Sequence, residues 1–491
     1  MASAFEGLKP ETLWNHFNEI RKIPHCSRHE GPLAAYVRRV AEQNGCPSRM
    51  DKAGNVVVEK PASPGRENAP GVVLQGHLDM VCEKNADVVH DFAKDAIDVR
   101  LEDGWVKASG TTLGADNGIG LAASLAVLED KTLVHGPVEL LFTSDEETGL
   151  NGAAKLKAGW LKGRILLNLD SEEEGTFFIG CAGGADSNID LRLRRAAKAT
   201  GKRLAVAMSG LRGGHSGLDI HTGRGNAVQL LARMLAATNA PFSLVSLEGG
   251  NKHNAIPREA FAKILVASKD EARWKKALQR RFDEVRFEYK AVEKDMALSV
   301  GPDSGETAKP MDSATKNTFL SLLVALPHGV MAMSQEIPEL VETSNNVAIV
   351  RCEPKTACIH TSTRSSIGSA LEAVRAKIEA TASLAGAKID HHRGYPGWTP
   401  NLESPLLRTM KEIHQRMTGR EPEVKAVHAG LECGIIGEKF PGMDMISFGP
   451  DLRNPHSPDE KVHIESVGRF YMLLTSVLEA LASGTAGHVL A

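Results

Sequence analysis

Gly71-Val72-Val73-Leu74-Gln75-Gly76-His77-Leu78-Asp79-Met80 is the stretch that decides the fold. Its first half is short, apolar and β-branched, as a buried strand is, and it runs straight into His-x-Asp. Polar residues at the C-terminal end of a strand stand where open α/β sheets bind their ligands. If strand geometry continues, residues two apart point the same way and Asp79 lies beside His77. A carboxylate so placed takes one ring N–H of the imidazole and leaves the other nitrogen free for a cation. A lone histidine at a strand end is usually a satisfied structural residue, so the neighbouring segments must decide.

Outward from this strand the pattern alternates. Val56-Val57-Val58, Val138-Glu139-Leu140-Leu141-Phe142-Thr143 and Arg164-Ile165-Leu166-Leu167-Asn168-Leu169 read as further strands, and residues 118–128 as a buried helix. Strands alternating with helices predict an α/β fold with a mixed, largely parallel sheet flanked by helices. From Asp186-Ser187-Asn188-Ile189-Asp190-Leu191 onward, polar and apolar residues alternate as in a half-exposed strand. Two loosely similar α+β passages follow, and Arg393-Gly394-Tyr395-Pro396-Gly397 reads as the turn back to the first domain. The expected organisation is residues 1–186 and 394–491 as one domain, with 187–393 inserted as a second domain of two similar α+β subdomains.

Bulk properties narrow the function. At 491 residues the chain exceeds one compact core. Its 58 Lys and Arg nearly balance 61 Asp and Glu, so no basic field favours nucleic acid. Apolar runs stop well short of bilayer length, and the N-terminal amphipathic helix lacks an apolar secretory core, which predicts no membrane span and a cytoplasmic protein. Seven cysteines with no Cys-x-x-Cys pair suit buried free thiols in a reducing compartment.

Four more polar clusters fall at strand or loop ends: Gly114-Ala115-Asp116-Asn117-Gly118, Asp145-Glu146-Glu147-Thr148-Gly149, Asn168-Leu169-Asp170 and Asn454-Pro455-His456-Ser457. Singly, these read as a turn, an acidic loop, a strand end and a loop histidine. Together they bring two imidazoles and several carboxylates to one sheet edge, a donor set suited to zinc, manganese or cobalt. The count is too high for one catalytic ion and fits two, with an Asp bridging them.

This ordered set resembles the co-catalytic di-zinc peptidases that include aminoacylases, glutamate carboxypeptidases and carnosinases, over essentially the whole chain. Gly76-His77-Leu78-Asp79-Met80-Val81-Cys82-Glu83 and the later His428-Ala429-Gly430-Leu431-Glu432 are similar to the branch that cleaves Xaa-His dipeptides such as β-alanyl-histidine. The resemblance implies two zinc ions, with Asp116 bridging, His77 and Asp170 completing one site, and Glu147 and His456 the other. It implies that Asp79 orients His77 and that Glu146 is the general base, taking a proton from a metal-bridging water. In the inserted domain, a lid by resemblance, it implies an oxyanion contact from His215 in Gly213-Gly214-His215-Ser216-Gly217. Asn254 and Arg364 would meet the substrate's terminal carboxylate. His428 and Glu432 are candidates for the substrate pocket, with helix packing as the alternative. The expected function is therefore a metallo-dipeptidase acting on Xaa-His and other short dipeptides, as monomer or homodimer. Broad dipeptidase or N-acyl-amino-acid amidohydrolase activity is the alternative, and a non-catalytic binding protein the more distant one.

Overall fold

The computed structural model describes residues 5–197, 200–303, 305 and 308–484. The chain forms two compact units: Met1–Gly180 with Trp398–Ala426 and Leu431–Ala491, and Cys181–Gly397 with Val427–Gly430. The inserted segment thus begins and ends a few residues outside the 187 and 393 expected from sequence, because Cys181 to Asp186 already belong to the second unit. The short return Val427–Gly430 joins that unit as well, and so takes His428 with it.

The first unit is built on an eight-stranded sheet. Val138–Thr143, Val72–His77, Ile165–Asn168 and Asp444–Ser447 run parallel at its centre, with antiparallel strands outside them. Every residue of Val72–His77 and of Val138–Thr143 is buried, which is why these strands read as continuous apolar runs. The helix Ala115–Glu129 packs on the sheet with an almost wholly buried surface. Contact is so close that a Cβ on Gly76 would come within 2.1 Å of Asn117 Oδ1, so only glycine fits there.

The second unit holds a nine-stranded sheet whose strands pair antiparallel among the described residues. Both α+β passages feed this one sheet and one apolar core, from Ile189 and Leu204 through Trp274 to Phe319 and Ile378. They are therefore not two separate subdomains. Some of its strands pair across long sequence separations, as Gly183–Arg192 does with Thr356–Ser365, and no local pattern reports that.

Among the cysteines, Cys26 and Cys82 form a disulfide and Cys46, Cys181, Cys352, Cys358 and Cys433 are free. The expectation of free thiols thus fails for one pair, which is brought together by the pairing of Cys26 with Met80 beside the central strand.

Candidate active site

Three parallel strands deliver their polar residues to one edge of the sheet. Val72–His77 ends in His77 and Asp79, Val138–Thr143 leads into Glu146 and Glu147, and Ile165–Asn168 leads into Asp170. Asp116 enters from the start of the helix Ala115–Glu129, where its backbone is still non-helical (φ −83°, ψ 109°). His456 comes from the loop after Leu452–Arg453, held at φ +60°. A non-glycine residue in this region carries strain, and such strain collects at functional loops.

Asp116 joins two trios. Its Oδ1 lies 3.1 Å from His77 Nε2, which is also 3.3 Å from Asp170 Oδ1. Its Oδ2 lies 3.3 Å from His456 Nε2, which is 3.0 Å from Glu147 Oε2. Within each trio, and within His77, Glu146 and Glu147, the donor atoms lie within 4.8 Å of one another. Ligands about 2.0–2.1 Å from one tetrahedral ion are themselves about 3.3 Å apart, so these spacings fit a cation in each trio. Glu147 Oε1 is buried with no hydrogen-bond partner among the described residues, an acceptor that a cation would satisfy.

The ionisation of the cluster follows from burial and crowding. Burial opposes charge on His77, but Asp170, Asp116 and Asp79 outweigh it and raise its pKa well above the usual value. Asp116 and Glu147 push His456 up to about 11. Glu146 is raised well above the ordinary carboxylate range, first by burial and then by Asp170, Glu432 and Glu147 acting against His77.

Asp79 holds its neighbours differently from the expectation. The His77 Nδ1–H faces the backbone carbonyl of Asp79 at 2.9 Å, while the Asp79 carboxylate stands 3.6 Å away. The carboxylate instead accepts from the Glu146 and Glu147 backbone N–H groups at 2.9 and 3.1 Å and from Ser27 Oγ at 2.8 Å. The tight turn after His77 brings its own carbonyl under the ring, so the side chain is free to set the Glu146-Glu147 loop. Burial raises the Asp79 pKa, but His77 and these donors bring it down to about 2.

Two supporting carboxylates escaped the sequence reading or its role assignment. Glu460, buried, accepts from the backbone N–H groups of Leu113, Gly114, Ala115 and Asp116 at 2.7–3.2 Å and so fixes the bridging aspartate's segment. It follows His456 by four residues, but nothing local announces the loop it caps. Glu432, 1% exposed, accepts from Gln75 Nε2 and Thr143 Oγ1, both at 2.6 Å. It therefore braces the two strands behind His77 and belongs to the first unit.

His215, Asn254, Arg364 and His428 lie in the second unit. His215 Nδ1 accepts from the backbone N–H groups of Gly217 and Leu218 at 3.2 and 3.0 Å, which leaves the ring proton on Nε2. Burial, then Arg364, lowers its pKa, so the ring is a neutral donor. The Asn254 carbonyl accepts from Ser216 N at 2.8 Å and Ala255 pairs with His215, tying these two segments together. Arg364 is 7% exposed; its Nη1 donates to Tyr395 Oη at 3.0 Å, and its Nε has no partner among the described residues. His428 Nε2 bonds Ser344 Oγ at 2.7 Å.

Residues 73–480 match the model of peptidase family M20/M25/M40. The chain is 45% identical over 483 residues to the cytosol non-specific dipeptidase of Escherichia coli K12, spanning 98% of this chain and 99% of the relative. The aminoacylhistidine dipeptidase structure from Vibrio alginolyticus superposes with a TM-score of 0.90 at 43% identity, covering 97% of this chain and 98% of that one. An aminopeptidase, PepT, from Bacillus cereus shares the fold at 17% identity and a TM-score of 0.57, covering 97% and 99% of the two chains. With two metal-spaced trios on a shared aspartate and a family match over most of its length, this chain belongs to the M20/M25/M40 peptidases.

Proposed function

We propose that the chain is a di-metal dipeptidase that hydrolyses short unblocked dipeptides, Xaa-His dipeptides such as β-alanyl-histidine among them. One observation carries this reading: Asp116 turns one carboxylate oxygen to His77 and the other to His456, with Glu146 within ligand spacing of His77. His77, Asp116 and Asp170 would hold one cation and Asp116, Glu147 and His456 the other. Imidazole and carboxylate donors suit zinc, and manganese or cobalt accept the same set. When bound, such a pair supplies Lewis acidity that polarises a peptide carbonyl and acidifies water.

Everything else falls to side chains. Glu146, with a pKa raised by burial, is matched to take a proton from the attacking water and pass it to the leaving amine near neutral pH. Asp79 fixes the backbone that carries it. In the second unit, the neutral Nε2–H of His215 is assigned to the oxyanion of the tetrahedral intermediate. Arg364, a buried guanidinium with a spare N–H, is assigned with Asn254 to the free C-terminal carboxylate, a demand that favours dipeptides. The names of the Escherichia and Vibrio relatives support dipeptide substrates with some breadth.

Replacing Glu146 with Ala tests the assignment. Metal content should persist while turnover falls about 10²–10⁴-fold; undiminished turnover would remove Glu146 from the mechanism. Comparing carnosine, Gly-Gly-type dipeptides and N-acetyl amino acids in one assay separates this reading from acylamino-acid hydrolysis.

A further inference from the structure

A further group of metal-type donors lies wholly in the second unit, beside the segment that carries Asn254 and sharing no residue with the trios around Asp116. Asp186 lies on the strand Gly183–Arg192 and His360 on Thr356–Ser365, paired antiparallel so that Asp186 faces Ser362 and Asn188 faces His360. Residues two apart share a face, so all four side chains stand on one side of the sheet. The alternate residues Ser187, Ile189, Ile359 and Thr361 are buried on the other. His253 reaches the same point from the segment before Ala255–Ile256.

The spacing is that of ligands. Asp186 Oδ2 is 3.3 Å from His360 Nε2 and 3.4 Å from His253 Nδ1, and the three donor atoms lie within 4.8 Å of one another. These separations exceed a good N–H···O hydrogen bond, about 2.9–3.0 Å. They match the edge of about 3.3 Å between ligands of one tetrahedral ion, as in the two trios around Asp116. His360 Nε2 is buried and has no well-aligned hydrogen-bond partner among the described residues, the Asp186 carboxylate being the charged group it faces.

What lies behind the donors supports a metal. His360 Nδ1–H donates to Asn188 Oδ1 at 2.7 Å, and the amide nitrogen of Asn188 in turn faces His392 Nε2 at 2.7 Å. That chain holds a proton on Nδ1 and turns Nε2 toward Asp186, leaving Nε2 to a cation when one is bound, as in the outer hydrogen bonds of metal-ligating histidines. The His253 side chain is 57% exposed, which leaves one side open for an ion and a water.

We propose that Asp186, His253 and His360 bind a further divalent cation of the zinc, nickel or copper class, with three protein ligands and an open position. Two imidazoles and one carboxylate select such borderline ions over magnesium or calcium. Bound there, the ion would fasten the segment carrying His253 and Asn254 to the sheet.

The test is metal binding itself, on the full chain stripped of metal and titrated with zinc alone or with cobalt as a spectroscopic probe. In an Asp116→Ala, Glu147→Ala background one equivalent should remain, with the tetrahedral cobalt absorption of a nitrogen-oxygen site. Adding His253→Ala and His360→Ala should abolish it. Asn188→Ala, which keeps all three ligands, should weaken it about 10–100-fold. A count unchanged by removing both histidines, or no equivalent bound in the Asp116, Glu147 background, would overturn the proposal. Because that readout needs no turnover, it stands or falls independently of the dipeptidase assignment.

Discussion

On the proposed assignment both metal positions depend on Asp116, since its two oxygens face different histidines. Asp116→Ala should therefore lower the affinity for both ions, whereas Glu147→Ala removes a ligand from one position only. Metal content after dialysis against a graded chelator checks this, with two equivalents lost together in the first variant and one in the second. His428 makes a second prediction at this scale. Burial, with Arg364 adding repulsion, lowers its pKa to about 3. A depressed folded-state pKa gives stability that is full above the unfolded value near 6.5 and is lost as pH falls toward about 3. The loss should reach up to about 5 kcal/mol, and His428→Gln should flatten it, read as the denaturant midpoint against pH. The five residues that come together in the two trios, His77, Asp116, Glu147, Asp170 and His456, were legible because each closes a strand or a turn with its own local signature. Glu460 and the Asp186, His253 and His360 group were not, because only tertiary approach makes anything of them.

At the scale of elements, the central strand tolerates little change. A Cβ on Gly76 meets Asn117 Oδ1 at 2.1 Å, and that amide already donates to the Leu169 carbonyl at 2.7 Å. Gly76→Ala should cost about 1–3 kcal/mol, as overpacking does. Gly301, where a Cβ meets nothing within 4 Å, should accept Ala within about 0.5 kcal/mol. Equilibrium unfolding of the two variants measures the contrast. The first unit's parallel strands were readable because burial on both faces makes them unbroken apolar runs. The second unit's sheet was not readable as one sheet. Its edge strand Ala297–Pro302 is partly exposed throughout and pairs with Lys202–Ser209, nearly a hundred residues earlier. Length of separation, not weak propensity, hid the pairing.

Across the whole molecule the dominant electrostatic fact is the concentration of carboxyl groups at one sheet edge. Burial, then neighbouring carboxylates, pushes Asp170 to about 6, Glu432 and Glu460 to about 7 and Glu172 to about 8. For a carboxyl group whose folded pKa is raised, stability is full below the unfolded value and is lost as pH rises through the folded one. Metal-free protein should therefore weaken progressively from about pH 4, the unfolded carboxyl value, up to about pH 8, where the last of these groups ionises. Divalent cations offset that repulsion and, at a concentration of 100 Kd, stabilise the native state by about 2.7 kcal/mol per site. The gap between the melting temperatures of metal-loaded and metal-stripped protein should consequently be small near pH 5.5 and widen steadily to about pH 8.5. Calorimetry of both forms across that range measures it. A gap that narrows with rising pH would mean that the carboxylates at this edge do not repel one another in the metal-free chain.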